Sequence, residues 1–148
     1  MAEQFYTIRD VEELTGIPAT ALRFYDKRGL LVFVKRSPSG IRIFTDSDVE
    51  KIRMIQFLRN IDMPVNVISR FIGLMLQGQG TRNERKRMVE SLLKTLEEEQ
   101  LQLNEKIEAA HILLQAMNKE GKNPTALRTD SLKIPKKYQK FYSREKKE

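Results

Sequence analysis

One stretch of this 148-residue chain promises chemistry through residue type and spacing: the basic turn Lys35-Arg36-Ser37-Pro38-Ser39-Gly40. Ammonium and guanidinium groups held at a turn bind phosphate oxygens, the guanidinium with a forked grip. Covalent and metal chemistry have almost no candidates. The chain has no cysteine and a single histidine, His111. Disulfides, iron–sulfur clusters and thiolate metal sites are therefore excluded. A Ser–His–Asp or Cys–His set would have at most one candidate base, which points away from an enzyme of that kind. No dense carboxylate loop suggests a calcium site, and no cofactor is expected.

The chain carries 27 Lys and Arg against 20 Asp and Glu, a formal net charge of +7. That excess favours polyanionic partners, but its distribution matters. Residues 1–80 hold 11 basic and 9 acidic residues, 81–120 hold 7 and 8, and 121–148 hold 9 and 3. Most of the excess lies in the last segment, so positions rather than net charge must carry any claim of nucleic-acid binding. The start, Met1-Ala-Glu-Gln-Phe, does not read as a signal peptide. No stretch approaches the roughly 18 apolar residues of a membrane span. A cytoplasmic protein without membrane contact is the expectation.

The elements that must position the basic turn are short. Thr7 suits an N-cap with Asp10 in the capping-box position, and Ile8, Val11 and Leu14 share one helical face. Gly16 suits a left-handed helix end. Pro18 starts a second helix that runs to about Lys27, and Gly29 ends it. Two short helices across a Gly-containing turn make a helix-turn-helix pattern. Leu30–Val34 and Ile41–Phe44 read as strands of a hairpin tipped by the basic turn, which in this order is a wing. Thr45 or Asp46 caps a third helix to about Asn60, and Pro64 opens a fourth that Gly78 and Gly80 close. Residues 5–80 should share one small core.

Residues 81–118 contain neither Pro nor Gly. Leu93, Leu96, Gln100, Leu103, Ile107, Ala110, Leu114 and Met117 recur at alternating steps of three and four, an a/d seam of a coiled coil. A helix of that length spans roughly 55 Å, more than a domain of 80 residues can cover. A second copy of the chain is the economical partner, with Gln100 helping to fix register. His111 flanks the seam and reads as a surface or interface residue. Three segments result: a winged helix-turn-helix domain over 1–80, a dimerisation helix over 81–120 and a basic tail over 121–148. The tail carries Leu127, Leu132, Ile134, Tyr138, Phe141 and Tyr142, enough apolar surface to dock.

Taken together, residues 5–76 resemble the DNA-binding domain of the MerR family. The resemblance is carried by Tyr6-Thr7-Ile8 with Val11, Leu14-Thr15-Gly16-Ile17, Leu22-Arg23-Phe24-Tyr25-Asp26, Gly29-Leu30-Leu31, Gly40-Ile41-Arg42-Ile43-Phe44 and Leu58-Arg59 before Met63-Pro64. It implies a mainly α fold: a winged helix-turn-helix domain followed by a long dimerisation helix that pairs as an antiparallel coiled coil. It further implies that Arg23, Tyr25, Arg42 and Arg59 contact the DNA backbone and that Thr20 lies where bases are read. Lys35 and Arg36 join them from the wing. Phe24, Ile41 and Phe44 depart from the family's usual tyrosines and shift the backbone grip toward arginine and lysine.

The function implied is non-enzymatic. A homodimer would bind a palindromic operator in double-stranded promoter DNA, distort it for RNA polymerase, and respond to a non-metal effector of unknown identity. An architectural DNA protein and a regulator whose input is another protein are the alternatives; the heptad seam argues against the first, and nothing in the sequence decides the second. The absence of cysteine and the single histidine yield one test directly. Calorimetry on tag-free protein should register no binding of copper, zinc or mercury, and a sub-micromolar dissociation constant for any of them would refute the non-metal reading.

Overall fold

The computed structural model describes residues 2–119 and 135–141, the side chain of Gln139 excepted. The chain divides into two compact units, Met1–Leu92 and Leu93–Glu148. The first is built from β1 (Phe5–Tyr6), α1 (Ile8–Thr15), α2 (Ala19–Lys27), β2 (Lys35–Arg36), β3 (Arg42–Thr45), α3 (Asp46–Asn60) and α4 (Val65–Leu76). After a 3-10 turn at Gln79–Thr81, α5 runs over Arg82–Lys119. The fold is mainly helical, an N-terminal winged helix-turn-helix domain followed by one long helix.

Capping residues set the helix starts. Thr7 accepts from the Asp10 backbone N–H at 3.2 Å, and the Thr7 backbone N–H donates to the Asp10 carboxylate at 2.7 Å. Thr45 and Asp48 repeat the arrangement at the head of α3, at 3.2 and 3.0 Å. Each box satisfies two backbone donors that a helix start leaves open. The Thr7 backbone N–H and hydroxyl hold the Asp10 carboxyl below its ordinary value. That contribution is present above the unfolded carboxylate pKa and is lost as pH falls through the lowered folded value. Pro18 and Pro64 precede α2 and α4, where a missing N–H costs nothing.

Helix ends use the left-handed region. Gly16 closes α1 at φ 72°. At the end of α2, the Leu30 N–H donates to the Tyr25 carbonyl at 2.9 Å and the Gly29 N–H to the Asp26 carbonyl at 3.0 Å, with Gly29 at φ 76°. This pair of bonds is a Schellman motif. The same pair recurs after α3, from Met63 to Leu58 and from Asp62 to Arg59, with Asp62 at φ 66°.

The Schellman turn corrects one expectation. Leu30–Val34 does not form a strand: the Leu30 N–H is taken by the Tyr25 carbonyl and the Val34 N–H turns back to the Leu31 carbonyl at 3.1 Å, so Leu30 and Leu31 enter the core together from a turn. The hairpin begins later, so Lys35 and Arg36 are strand residues rather than turn residues. Lys35 pairs with Ile43 and Arg36 with Arg42. The turn proper is Ser37–Ile41, closed by bonds from Ser37 N–H to the Ile41 carbonyl at 2.7 Å and from Gly40 N–H to the Ser37 carbonyl at 2.8 Å. β1, which no sequence pattern announces, adds a third strand, in the order β1-β3-β2.

One core serves the whole N-terminal unit. Val11, Leu22, Leu30, Phe44, Ile52 and Ile68 are fully buried in it, and Met88 and Leu92 of α5 pack at its margin. Within the second unit, α5 contributes no buried residue. Leu93, Leu103, Ile107, Leu114 and Met117 are about half exposed, Gln100 and Ala110 are exposed, and Leu96 is partly covered. Lys136–Phe141 forms a 3-10 segment on the same unit. Lys137 pairs with Glu108 at 3.3 Å and Lys140 pairs with Glu105. Tyr138 between them is buried and stacks on Phe141, its hydroxyl beside Glu108 and Lys137 without a hydrogen bond of good geometry. Of the other apolar tail residues, Leu127, Leu132, Ile134 and Tyr142 lie outside the described residues, as does most of 121–148.

The α3 box yields a stability test. Thr45→Ala should cost about 1 kcal/mol, which for a domain of this size lowers the melting temperature by roughly 4–8 °C. Thr45→Ser should recover most of the loss. A thermal melt in which alanine and serine behave alike would remove the capping role.

Candidate nucleic-acid interface

α2 presents two faces by helical spacing. Leu22 and Tyr25 point into the core; Thr20, Arg23, Phe24 and Lys27 are exposed along the opposite side. An exposed, cationic second helix in a helix-turn-helix is the element that enters a major groove, and its first residues reach base edges. Thr20 occupies that leading position. Arg23 and Lys27 follow at steps of three and four. Lys27 is a cation that the sequence reading missed, although its spacing from Arg23 is visible there. Arg28, next along the chain, lies 5.6 Å from the centre of the Phe24 ring.

Tyr25 is placed differently from the other candidates. It is only 6% exposed, and its hydroxyl donates to Gln56 Oε1 at 2.7 Å. Gln56 in turn donates to Asn60 at 3.1 Å. Burial pushes the Tyr25 phenol above its ordinary pKa, and the Arg59 guanidinium beside it opposes that shift. Tyr25 therefore links α2 to the last two turns of α3 and sits beside Arg59, which is exposed. Its one hydroxyl proton is already committed, so its direct use on a phosphate requires the bond to Gln56 to be exchanged.

The wing is tied to α2 through one carboxylate oxygen. Arg42 approaches Asp26 Oδ2 with Nε at 2.8 Å and Nη2 at 2.5 Å. Arg36 reaches the same oxygen with Nη2 at 2.9 Å and donates from Nη1 to the Gly40 carbonyl at 2.9 Å. The Asp26 and Arg42 side chains are each about a quarter exposed, and that of Arg36 is half exposed. Arg42 and Arg36 are thus brought together with the recognition helix, while Lys35 stands exposed on β2. Asp26 carries no signal of this role in the sequence. Its partners are ten and sixteen residues away, beyond any local pattern.

A cleft of about 500 Å³ lies on the same unit between α4 and the first turns of α5, lined by Asn66, Val67, Arg70, Glu84, Arg87 and Met88 among others. Arg70 and Glu84 are paired across it at 2.5 Å. Among the described residues no group of three or more His, Cys, Asp or Glu is arranged to hold a metal ion. No helix among them is long and apolar enough to cross a membrane.

Comparison with known proteins agrees with this geometry. Residues 6–73 match the MerR HTH family of regulatory proteins. An uncharacterized HTH-type transcriptional regulator of Haemophilus influenzae is 40% identical over 91 residues, 62% of this chain and 67% of that protein. A probable heavy metal-dependent transcriptional regulator of the same organism is 27% identical over 101 residues, 68% of this chain and 79% of that protein. Among solved structures, HiNmlR, a MerR family regulator lacking the sensor domain and bound to promoter DNA, is 34% identical with a TM-score of 0.59. That match covers 78% of this chain and 92% of HiNmlR. With the helix-turn-helix, the wing and the long helix in the family's order, this chain belongs to the MerR family of transcriptional regulators, which are not enzymes.

Proposed function

We propose that this chain binds a palindromic operator in double-stranded promoter DNA as a homodimer, in the cytoplasm, and controls transcription by distorting the promoter. The observation that carries the reading is the exposed face of α2 beside the arginines of the wing. Arg23, Lys35, Arg36, Arg42 and Arg59 are the proposed phosphate contacts, Tyr25 supports Arg59 from behind, and Thr20 faces the bases. Phosphate contacts set register and orientation, and the few residues at the head of the recognition helix supply sequence discrimination.

The exposed seam on α5 supports the dimer. Leu93, Leu96, Gln100, Leu103, Ile107, Ala110, Leu114 and Met117 form a stripe, apolar except at Gln100, that a second helix, antiparallel by family resemblance, covers. Two readers at a fixed separation select a palindrome with matching half-site spacing. Bending such a site costs about 1–6 kcal/mol, recovered through backbone contacts, and presents altered promoter geometry to RNA polymerase. The effector proposed is not a metal ion, because no thiolate is present and His111 is the sole imidazole. The cleft between α4 and α5, with Val67 and Met88 beside paired charges, suits a small ligand of mixed polarity.

Two measurements test this reading. Leu103→Glu combined with Ile107→Glu should convert the dimer to monomer in sedimentation and weaken operator binding by about 10²-fold or more, because bivalency is gone. A wild-type monomer at micromolar concentration would end the dimer proposal. Separately, operator affinity should fall steeply with salt. Arg23→Ala should reduce the log–log slope by about 0.9 for each phosphate it no longer neutralises, doubled in a dimer. A slope unmoved by Arg23→Ala would take that residue out of the backbone grip.

A further inference from the structure

We propose that Asp26 is a positioning residue that fixes the wing against the recognition helix and so converts the wing's charge into operator selectivity. The inference rests on the DNA-binding reading above. Three guanidinium nitrogens from two strands converge on one oxygen, Oδ2 of Asp26: Nε and Nη2 of Arg42, and Nη2 of Arg36. Asp26 stands on α2 one helical turn from Arg23, between the exposed face and the buried one. Among the described residues, the only strand that β2 pairs with is β3, and each of its two residues is exposed. β3 is anchored by Phe44 and by its pairing with β1, but β2, exposed at both residues, has little burial of its own to set its angle to α2.

The fork at Arg42 matters most. Two of its nitrogens on one carboxylate define the plane of the guanidinium, which a single hydrogen bond does not. Nη1 of Arg42 takes no part in the bonds to Asp26, and neither does Nε of Arg36, so each guanidinium keeps donors for a phosphate while its direction is set by Asp26. The carboxylate also lowers the net positive charge that the wing offers to any polyanion. Without it, two cations would search phosphates freely. They would gain attraction to every duplex and lose the preset distance between wing and helix that a particular site rewards.

The test compares two duplexes of equal length: one selected from a random pool by the wild-type protein, and one of random sequence. Asp26→Asn should tighten binding to the random duplex and weaken binding to the selected one, so that the ratio of affinities falls about tenfold or more, the size of one charge-assisted hydrogen bond. Arg42→Lys keeps the charge but cannot make the fork. It should lower the ratio by weakening the selected duplex more than the random one, and it reads the same coupling if Asp26→Asn proves unstable. The combined variant should be no worse than the poorer single one. Were Asp26 merely a like charge near phosphate, Asp26→Asn would tighten both duplexes by the same factor and the ratio would stand unchanged. That result, or independent additive effects of the two substitutions, overturns the proposal. A wild type that separates no selected duplex from random DNA instead overturns the DNA-binding reading, and this assignment with it.

Discussion

The outward-facing elements of the N-terminal unit are too short to hold their shape alone. α1 has eight residues, α2 has nine, and β1 and β2 have two each. Isolated helices below about 12 residues are marginal in water, and so is a lone hairpin. They persist because their inner faces close on a common interior with α3 and α4. Phe44 lies at the centre of this dependence. It belongs to the middle strand of the sheet and is fully buried in the same cluster as Val11, Leu22 and Ile52. The reader is therefore only as well placed as the core beneath it.

That dependence binds recognition to packing. On α2, Leu22 and Tyr25 alternate with Thr20, Arg23 and Lys27 within little more than two turns, so any shift that repacks the first pair moves the others. Tyr25 belongs to both sides, with its ring in the core and its hydroxyl in the chain of hydrogen bonds through Gln56 to Asn60. The wing is anchored in the core by Phe44 on β3 and, at the root of β2, by Phe33 and Val34. Its tie to α2 is ionic, through Asp26. Two kinds of interaction thus hold the reader together: apolar burial under α2 and β3, and partly exposed charge pairing between α2 and the wing. Only the second weakens with salt.

What can be read from the sequence follows the range of the forces involved. The capping box at Thr7, the prolines before α2 and α4 and the glycine at the end of α1 act within four residues, and each is legible, while at α3 the sequence leaves Thr45 and Asp46 as rival caps and the structure selects Thr45 with Asp48. The seam on α5 is legible because its period repeats over seven steps. The features that escape depend on distant partners. β1 is two residues long and exists by pairing with β3 nearly forty residues later. Leu30–Val34 has strand-forming composition, yet the Schellman turn at Gly29 commits Leu30 and Leu31 to the core together. Asp62 adopts a left-handed conformation that its type tolerates but does not announce. At the interface, the exposed cations are visible from their type, whereas the burial of Tyr25 and the role of Asp26 arise only when α2, α3 and the wing are assembled.

The second unit shows how a long helix can leave one face open without leaving all of itself exposed. Leu103, Ile107, Leu114 and Met117 are between 47% and 56% exposed. Glu105, Ala109, Ile112 and Ala116 recur at steps of four, three and four and are partly covered. Two residues separate the start of one series from the other, which in an α-helix places them on opposite sides. Lys137 and Lys140 reach Glu108 and Glu105, so the 3-10 segment lies along the second side, with Tyr138 buried between the two ion pairs. A helix with two apolar stripes has two ways to associate; one that seats its own chain on the outer stripe retains one. The lysines suit this place because they pair with the carboxylates that flank the buried Tyr138. Among the described residues, cover on the outer stripe leaves the heptad side as the apolar face of α5 that stays open on this unit.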